Sequence, residues 1–259
     1  MTAKWFFKVP FFFRRLLVHG VVDCIRAPQR AKEYWHQIAS AAIRVPIGND
    51  IKRELRKLPL ANPEEVFPKL NEEPVSLIDY RYDYGDMPLT ELMLVCRIAR
   101  RLKPRLVFEI GTFLGGTTLQ LAVNSSATVY TLDLPPAAVG DGSRRVWDAE
   151  LDVYPDIPGR RFHDTPWFGK IKQVFGNSRE FDFEPFRGQI DMVLVDGCHQ
   201  YDFVLSDSVN ALKLLSSKGI ILWHDYAEYA PGVVQALEEL GRMIALRRIE
   251  GTSLVVYFK

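Results

Sequence analysis

Four residues in the second half of the chain could do acid–base or ligand chemistry together: Asp196 and His199 in Asp196-Gly197-Cys198-His199, and the adjacent pair His224-Asp225. An imidazole near its ordinary pKa can take a proton at neutral pH, so His199 is the natural general base. Two earlier acids, Glu109 and Asp133, flank a glycine-rich stretch, Gly111-Thr112-Phe113-Leu114-Gly115-Gly116-Thr117-Thr118. Glycines let a backbone turn tightly and approach a ligand closely. Asp133 follows Gly111 by 22 residues, a spacing that allows its carboxylate to accept from both hydroxyls of a ribose. The stretch lacks the GxGxxG dinucleotide pattern and the Lys of a phosphate-binding loop.

These residues need strands to position them, and the pattern supplies strands. Short apolar runs are expected as strands at Arg105–Ile110, Thr128–Leu132, Ile171–Phe175, Ile190–Val195 and Gly219–Trp223, alternating with amphipathic helices at Leu89–Leu102, Asp202–Leu215 and Val233–Leu240. The runs Ile244–Ile249 and Ser253–Phe258 around Glu250-Gly251 read as a hairpin. The expected fold is therefore α/β: a doubly wound, mostly parallel seven-stranded Rossmann-like sheet with an antiparallel C-terminal hairpin and an N-terminal helical extension. In such sheets ligands bind beyond the carboxyl ends of the strands. Glu109, Asp133, Asp196 and Asp225 each fall at or just past a strand's carboxyl end.

The run VFEIGTFLGGTTLQLA resembles the first motif of class I S-adenosylmethionine-dependent methyltransferases. The run IDMVLVDGCHQYDFVLSDSVNALKLLSSKGIILWHDY resembles the later half of one branch, the macrocin O-methyltransferase-like and cephalosporin hydroxylase-like proteins. The resemblance covers roughly residues 85–258. It implies S-adenosylmethionine as cofactor, with Glu109, Gly111 and Gly115 at its methionine part, Asp133 at the ribose, and Asn177 and Ser178 at the adenine; Asp196 borders the same site. It implies His199 as the base that deprotonates an acceptor hydroxyl. It also implies magnesium on Asp196 and on an acidic pair after the fifth strand, where this chain has His224 and Asp225. Magnesium prefers oxygen ligands, so three arrangements are open: a weakened magnesium site, another divalent metal, or none, with His224 acting as an acid or base. Asp207 reads as an exposed helix carboxylate.

The implied activity is O-methyl transfer to a hydroxyl of a sugar, glycolipid or secondary metabolite, the acceptor being a small molecule or a lipid-linked glycan. Two alternatives stand beside it: a cephalosporin-hydroxylase-like oxygen insertion, and a non-catalytic, membrane-docked binding protein with a methyltransferase fold.

The rest of the chain sets limits. It has 259 residues, 47% hydrophobic and 25% charged, which excludes a disordered or low-complexity chain. A net charge of +1 argues against a nucleic-acid partner. Cys24, Cys96 and Cys198 are far apart, which points to reduced thiols and a cytoplasmic site. Charge is uneven: residues 1–60 hold twelve Lys/Arg against four acids, a net +8, which leaves −7 for the remainder. Residues 1–75 read as a basic, aromatic-rich arm and linker, residues 76–259 as the cofactor-binding domain, and Leu134–Lys170 as a lid or insertion. Within residues 1–45, Arg14, Arg15, Arg26 and Arg30 accompany Trp5, Phe6, Phe7 and Phe11 to Phe13. That combination suits either peripheral contact with the inner face of an anionic membrane or a homo-oligomer contact.

Overall fold

The structure is a computed structural model that describes residues 56–82, 85–135 and 157–259. All of these belong to one compact unit, Arg53–Lys259. The basic aromatic arm, with its expected membrane or oligomer contact, and most of the insertion lie outside the described residues.

Among the described residues the chain forms β1 (Leu60–Ala61), α1 (Pro63–Val66), α2 (Leu89–Leu102), β2 (Leu106–Ile110), α3 (Gly116–Asn124), β3 (Thr128–Asp133), β4 (Ile171–Phe175), β5 (Ile190–Val195), α4 (Tyr201–Leu214), β6 (Leu215–Trp223), α5 (Pro231–Leu240), β7 (Arg247–Ile249) and β8 (Val255–Phe258). They make one sheet in the order β1-β7-β8-β6-β5-β2-β3-β4. All neighbours are parallel except β8, which runs antiparallel to both β6 and β7. The sheet is thus the expected one with an eighth strand. Leu60–Ala61 pairs with β7 in a segment expected as linker, and Leu58, Phe67 and Leu70 are buried nearby. The domain therefore begins well before residue 76.

Strand alternation splits the core in two. Phe108, Ile110, Val193, Val195, Ile221 and Trp223 pack on one face with α4 and α5. Val107, Met192, Leu194, Ile220 and Leu222 pack on the other with α2 and α3. A period of two sends successive side chains to opposite faces, and each large apolar side chain so buried contributes about 1.5–3 kcal/mol. These three layers hold the strand ends still. The chain winds outward from β2 to β3 and β4, then returns through β5 to β6, so the switch point lies between β2 and β5.

The described end of the insertion rests on the glycine-rich loop. Gly159 N donates to Phe113 O at 2.7 Å and Arg161 N to Leu114 O at 3.1 Å. The Arg161 guanidinium clasps Asp86 with two bonds of 2.9 Å, a planar bidentate arrangement that fixes both groups.

Candidate active site

At the switch point two backbones press together. Gly111 has φ +104°, and a Cβ there would stand 2.0 Å from Asp196 O. Only glycine can lie between the ends of β2 and β5 in this conformation. Asp196 N in turn donates to Ile110 O at 2.8 Å. Asp133, at the end of β3, is half-buried. Its Oδ2 accepts from Thr112 N at 2.9 Å and Phe113 N at 2.7 Å, and its Oδ1 from Leu134 N at 2.7 Å. The carboxylate therefore holds the glycine-rich loop in shape at the mouth of the cleft.

Two of the residues expected at the cofactor are enclosed by their own chain. Glu109 is 1% exposed. It sits under the loop, and its Oε2 accepts from the hydroxyls of Thr118 and Thr131. Burial pushes its carboxyl up to about 8, and the two hydroxyls offset only part of that. It supports the loop from beneath. Gly115 is packed by the insertion: a Cβ would meet the Phe162 ring at 2.5 Å and Gly159 Cα at 2.9 Å. Its close approach is to its own chain. Asn177 and Ser178 follow β4 at the same edge of the sheet. Asn177 Oδ1 caps Arg179 N at 3.0 Å, and Ser178 hydrogen-bonds Asp207. Asp207 is not the exposed helix carboxylate expected: it is 1% exposed, and burial raises it to about 6 against the Ser178 bond. It lies on the same face of α4 as Val204, Ala211 and Leu214, so its apolar register was the readable sign of burial.

The remaining expected residues come together. Asp196, His224 and Asp225 place their ligand atoms within 4.8 Å of one another. His224 Nδ1 stands 2.8 Å from Asp196 Oδ1 and 3.1 Å from Asp225 Oδ2. His199 Nε2 stands 2.7 Å from Asp225 Oδ2. Asp225 adopts φ +59°, a left-handed conformation that an Asp tolerates in a tight turn. The Tyr229 hydroxyl donates to its Oδ1 at 2.6 Å. Burial would raise the Asp225 carboxyl, but bonds from His199 and His224 hold it well below the usual range.

Two partners escaped the sequence reading. One is Tyr229. The other is Glu91 of α2, whose Oε2 lies 2.6 Å from His224 Nε2. Ser253 holds Glu91 through its amide at 2.6 Å and its hydroxyl at 3.0 Å. Burial would raise the Glu91 carboxyl, and the bond and charge of His224 pull it below the ordinary value. Burial would likewise lower His224, but the charge of Asp196 and bonds to Asp196, Asp225 and Glu91 hold it well above its ordinary value. Glu91 lies on the buried face of α2 with Val95 and Ile98. An acid in that apolar register signalled a buried partner, although not which one.

Residues 108–226, from β2 to just past β6, match the family of methyltransferase domains. This stretch is similar to a methyltransferase domain. The match spans the switch point, Asp133, Asp196, His199, His224 and Asp225, and it leaves out Glu91 and Tyr229. An SAH-bound methyltransferase from Podospora anserina shares the fold, with a TM-score of 0.51 and 18% identity over 83% of this chain and 98% of that one. An SAH-complexed O-methyltransferase from Bacillus cereus aligns with a TM-score of 0.46 and 15% identity, over 76% and 90% of the two chains. The Streptomyces achromogenes O-methyltransferase of tomaymycin synthesis aligns with a TM-score of 0.45 and 16% identity, over 74% and 94%. No curated protein matches the chain. The expected enzyme class and the expected sheet both stand. Among the described residues no helix is long and apolar enough to cross a membrane.

Proposed function

We propose that the methyltransferase domain uses S-adenosylmethionine to methylate a hydroxyl of a small-molecule acceptor. The observation that carries this reading is the pair formed by His199 and Asp225, 2.7 Å apart at the carboxyl edge of the sheet. The imidazole is partly exposed while the carboxylate is buried, so one end of the pair is open to solvent and the other is fixed. With Nε2–H donated to Asp225, the lone pair of neutral His199 lies on Nδ1, which takes the acceptor's proton. Asp225 then stabilises the imidazolium that forms, and Tyr229 and His224 keep Asp225 from turning.

The residues fit the cofactor. Asp133 offers a carboxylate at the end of β3 for a ribose, Asn177 and Ser178 stand at the end of β4 for the adenine, and Gly111 at the end of β2, on the other side of β3, lets the backbone come close. S-adenosylmethionine, when bound, supplies an electrophilic methyl group. The chain's task is to align the acceptor oxygen, hold its proton's destination and exclude water.

Asp133→Ala should weaken binding of S-adenosylhomocysteine by about ten- to a hundredfold, because charge-assisted hydrogen bonds to the ribose and to the loop amides are lost together. Calorimetry on a folded variant checks this, and unchanged affinity would remove Asp133 from the site.

The acceptor class extends this reading: a sugar, glycolipid or secondary metabolite, brought within reach if residues 1–45 dock on an anionic membrane. Each basic residue near such a surface contributes about 1 kcal/mol, and salt screens it. The full chain should co-sediment with anionic vesicles at low salt and much less at high salt. Protein that stays in the supernatant at low salt, together with oligomer lost on deleting residues 1–45, would assign the arm to a homo-oligomer contact.

A further inference from the structure

Gly232 is the second residue of α5, where glycine is a weaker helix former than alanine. Its φ is not in the left-handed region that would call for glycine. Space is the reason instead. A Cβ on Gly232 would stand 2.3 Å from His199 O, 2.7 Å from Tyr201 N and 3.2 Å from Gln200 C. All three are backbone atoms, so no side chain can swing aside to admit it. The first turn of α5 therefore lies backbone against backbone on the segment that carries His199.

The chain between β6 and α5 reaches His199 twice. Asp225 Oδ2 holds the imidazole at 2.7 Å, and Gly232, further along the same connection, lies against the main chain. That connection is braced within itself. Ala227 N donates to Asp225 O at 2.7 Å, Ala230 N to Ala227 O at 3.0 Å, and Val233 N and Val234 N to Ala230 O at 3.1 and 3.2 Å. The Tyr229 hydroxyl adds its bond to Asp225 at 2.6 Å. On the other side of the contact, Gln200 starts α4 without a side-chain cap, so packing against α5 helps to set where that helix begins.

We propose that Gly232 is a positioning residue for the general base: by lying against the main chain of His199 it sets where the imidazole meets Asp225 and the acceptor. The inference rests on the reading of His199 as the base. A methyl group at position 232 would force His199 O back by about 1 Å to reach ordinary contact, and a displacement of that size at the reacting atoms costs about 10²-fold in rate. The cofactor residues are spared. The three atoms nearest a Cβ at 232 belong to residues 199–201, and Asp133 ends β3, which β5 and β2 separate from β6.

Gly232→Ala in the full chain should lower transfer of radiolabel from S-adenosylmethionine into an extract of hydroxylated small metabolites by about 10²-fold. S-adenosylhomocysteine should bind as it does to the parent, measured by calorimetry. Glu239→Ala is the control. It removes the exposed 2.6 Å bond from the Tyr201 hydroxyl to Glu239, which ties α4 to α5 without crowding His199, and it should leave transfer unchanged. Proton NMR supplies a readout that needs no acceptor. In the parent the ring N–H of His199, held by a buried carboxylate, should exchange slowly with solvent and be visible, identified by its absence in His199→Ala; in Gly232→Ala it should be lost. A folded Gly232→Ala with parental transfer overturns the proposal, as does one that loses cofactor affinity and transfer in equal measure. A Glu239→Ala chain as impaired as Gly232→Ala also overturns it, because the contact would then be ordinary helix packing. So does a parent whose ring proton exchanges too fast to be seen, a result that stands even where Gly232→Ala does not fold. If the parent binds S-adenosylhomocysteine but transfers no methyl group, the methyl-transfer reading fails, and the ring proton still tests where Gly232 puts His199.

Discussion

His199→Ala should lower methyl transfer by about 10²- to 10⁴-fold, the usual worth of a positioned general base, while S-adenosylhomocysteine binds as before. The asymmetry follows from where the ring sits. His199 precedes α4 and bonds Asp225, away from Asp133 at the end of β3 that is assigned to the ribose. Its loss opens a partly exposed position and creates no buried cavity, so the fold should hold. Transfer from radiolabelled S-adenosylmethionine into an extract of hydroxylated small metabolites measures the rate, and calorimetry measures cofactor affinity. Asp225→Asn should fall in the same direction, since an amide oxygen orients the ring but cannot balance the imidazolium charge. An Ala variant with full activity would show that the His199–Asp225 pair is structural. Equal loss of cofactor affinity and of turnover would place His199 in the cofactor pocket instead.

The strands that carry this site were legible because they are short, apolar and bounded by turn residues, as in RLVFEI before Gly111 and IDMVLV before Asp196. α2 was legible to the residue, Leu89–Leu102, because its apolar positions recur at helical spacing. β1 was not. Two residues cannot show alternation, and the strand exists only because β7 offers it unpaired backbone groups from the far end of the chain. β6 begins at Leu215, earlier than expected, because its first residues pair across an irregularity near Ile190–Met192 that no local pattern encodes. Among site residues, strand-end acids could be found by position. Whether each faces the cleft or the core could not. Glu109 and Asp133 bracket the same loop, yet one is sealed beneath it and the other holds it from the rim. Glu91 shows the same limit from the other side, since its partners His224 and Ser253 are remote in sequence and only the sheet brings them to α2.

Glu109 leads to the other large effect, a loss of stability as pH rises. An unfolded Glu titrates at 4.5, whereas in the folded domain burial lifts the carboxyl to about 8. Below the lower value both states carry the proton, and above the higher value neither does. Between them only the folded state keeps it, so unfolding releases a proton and stability must fall with pH. The slope is about 1.4 kcal/mol per pH unit, and across the interval the cost reaches about 5 kcal/mol. Thr118 and Thr131 can still donate to a Gln side-chain oxygen at this position, and a Gln has no proton to lose. Glu109→Gln should therefore gain on the parent by a few kcal/mol between pH 5.5 and pH 8.5, with the two chains closest in stability, or the parent ahead, at the acid end. Urea unfolding of both proteins at each pH gives the four free energies required. A parent–variant difference that does not change with pH would mean that Glu109 stays ionised in the fold, and that the sealed pocket under the glycine-rich loop admits water.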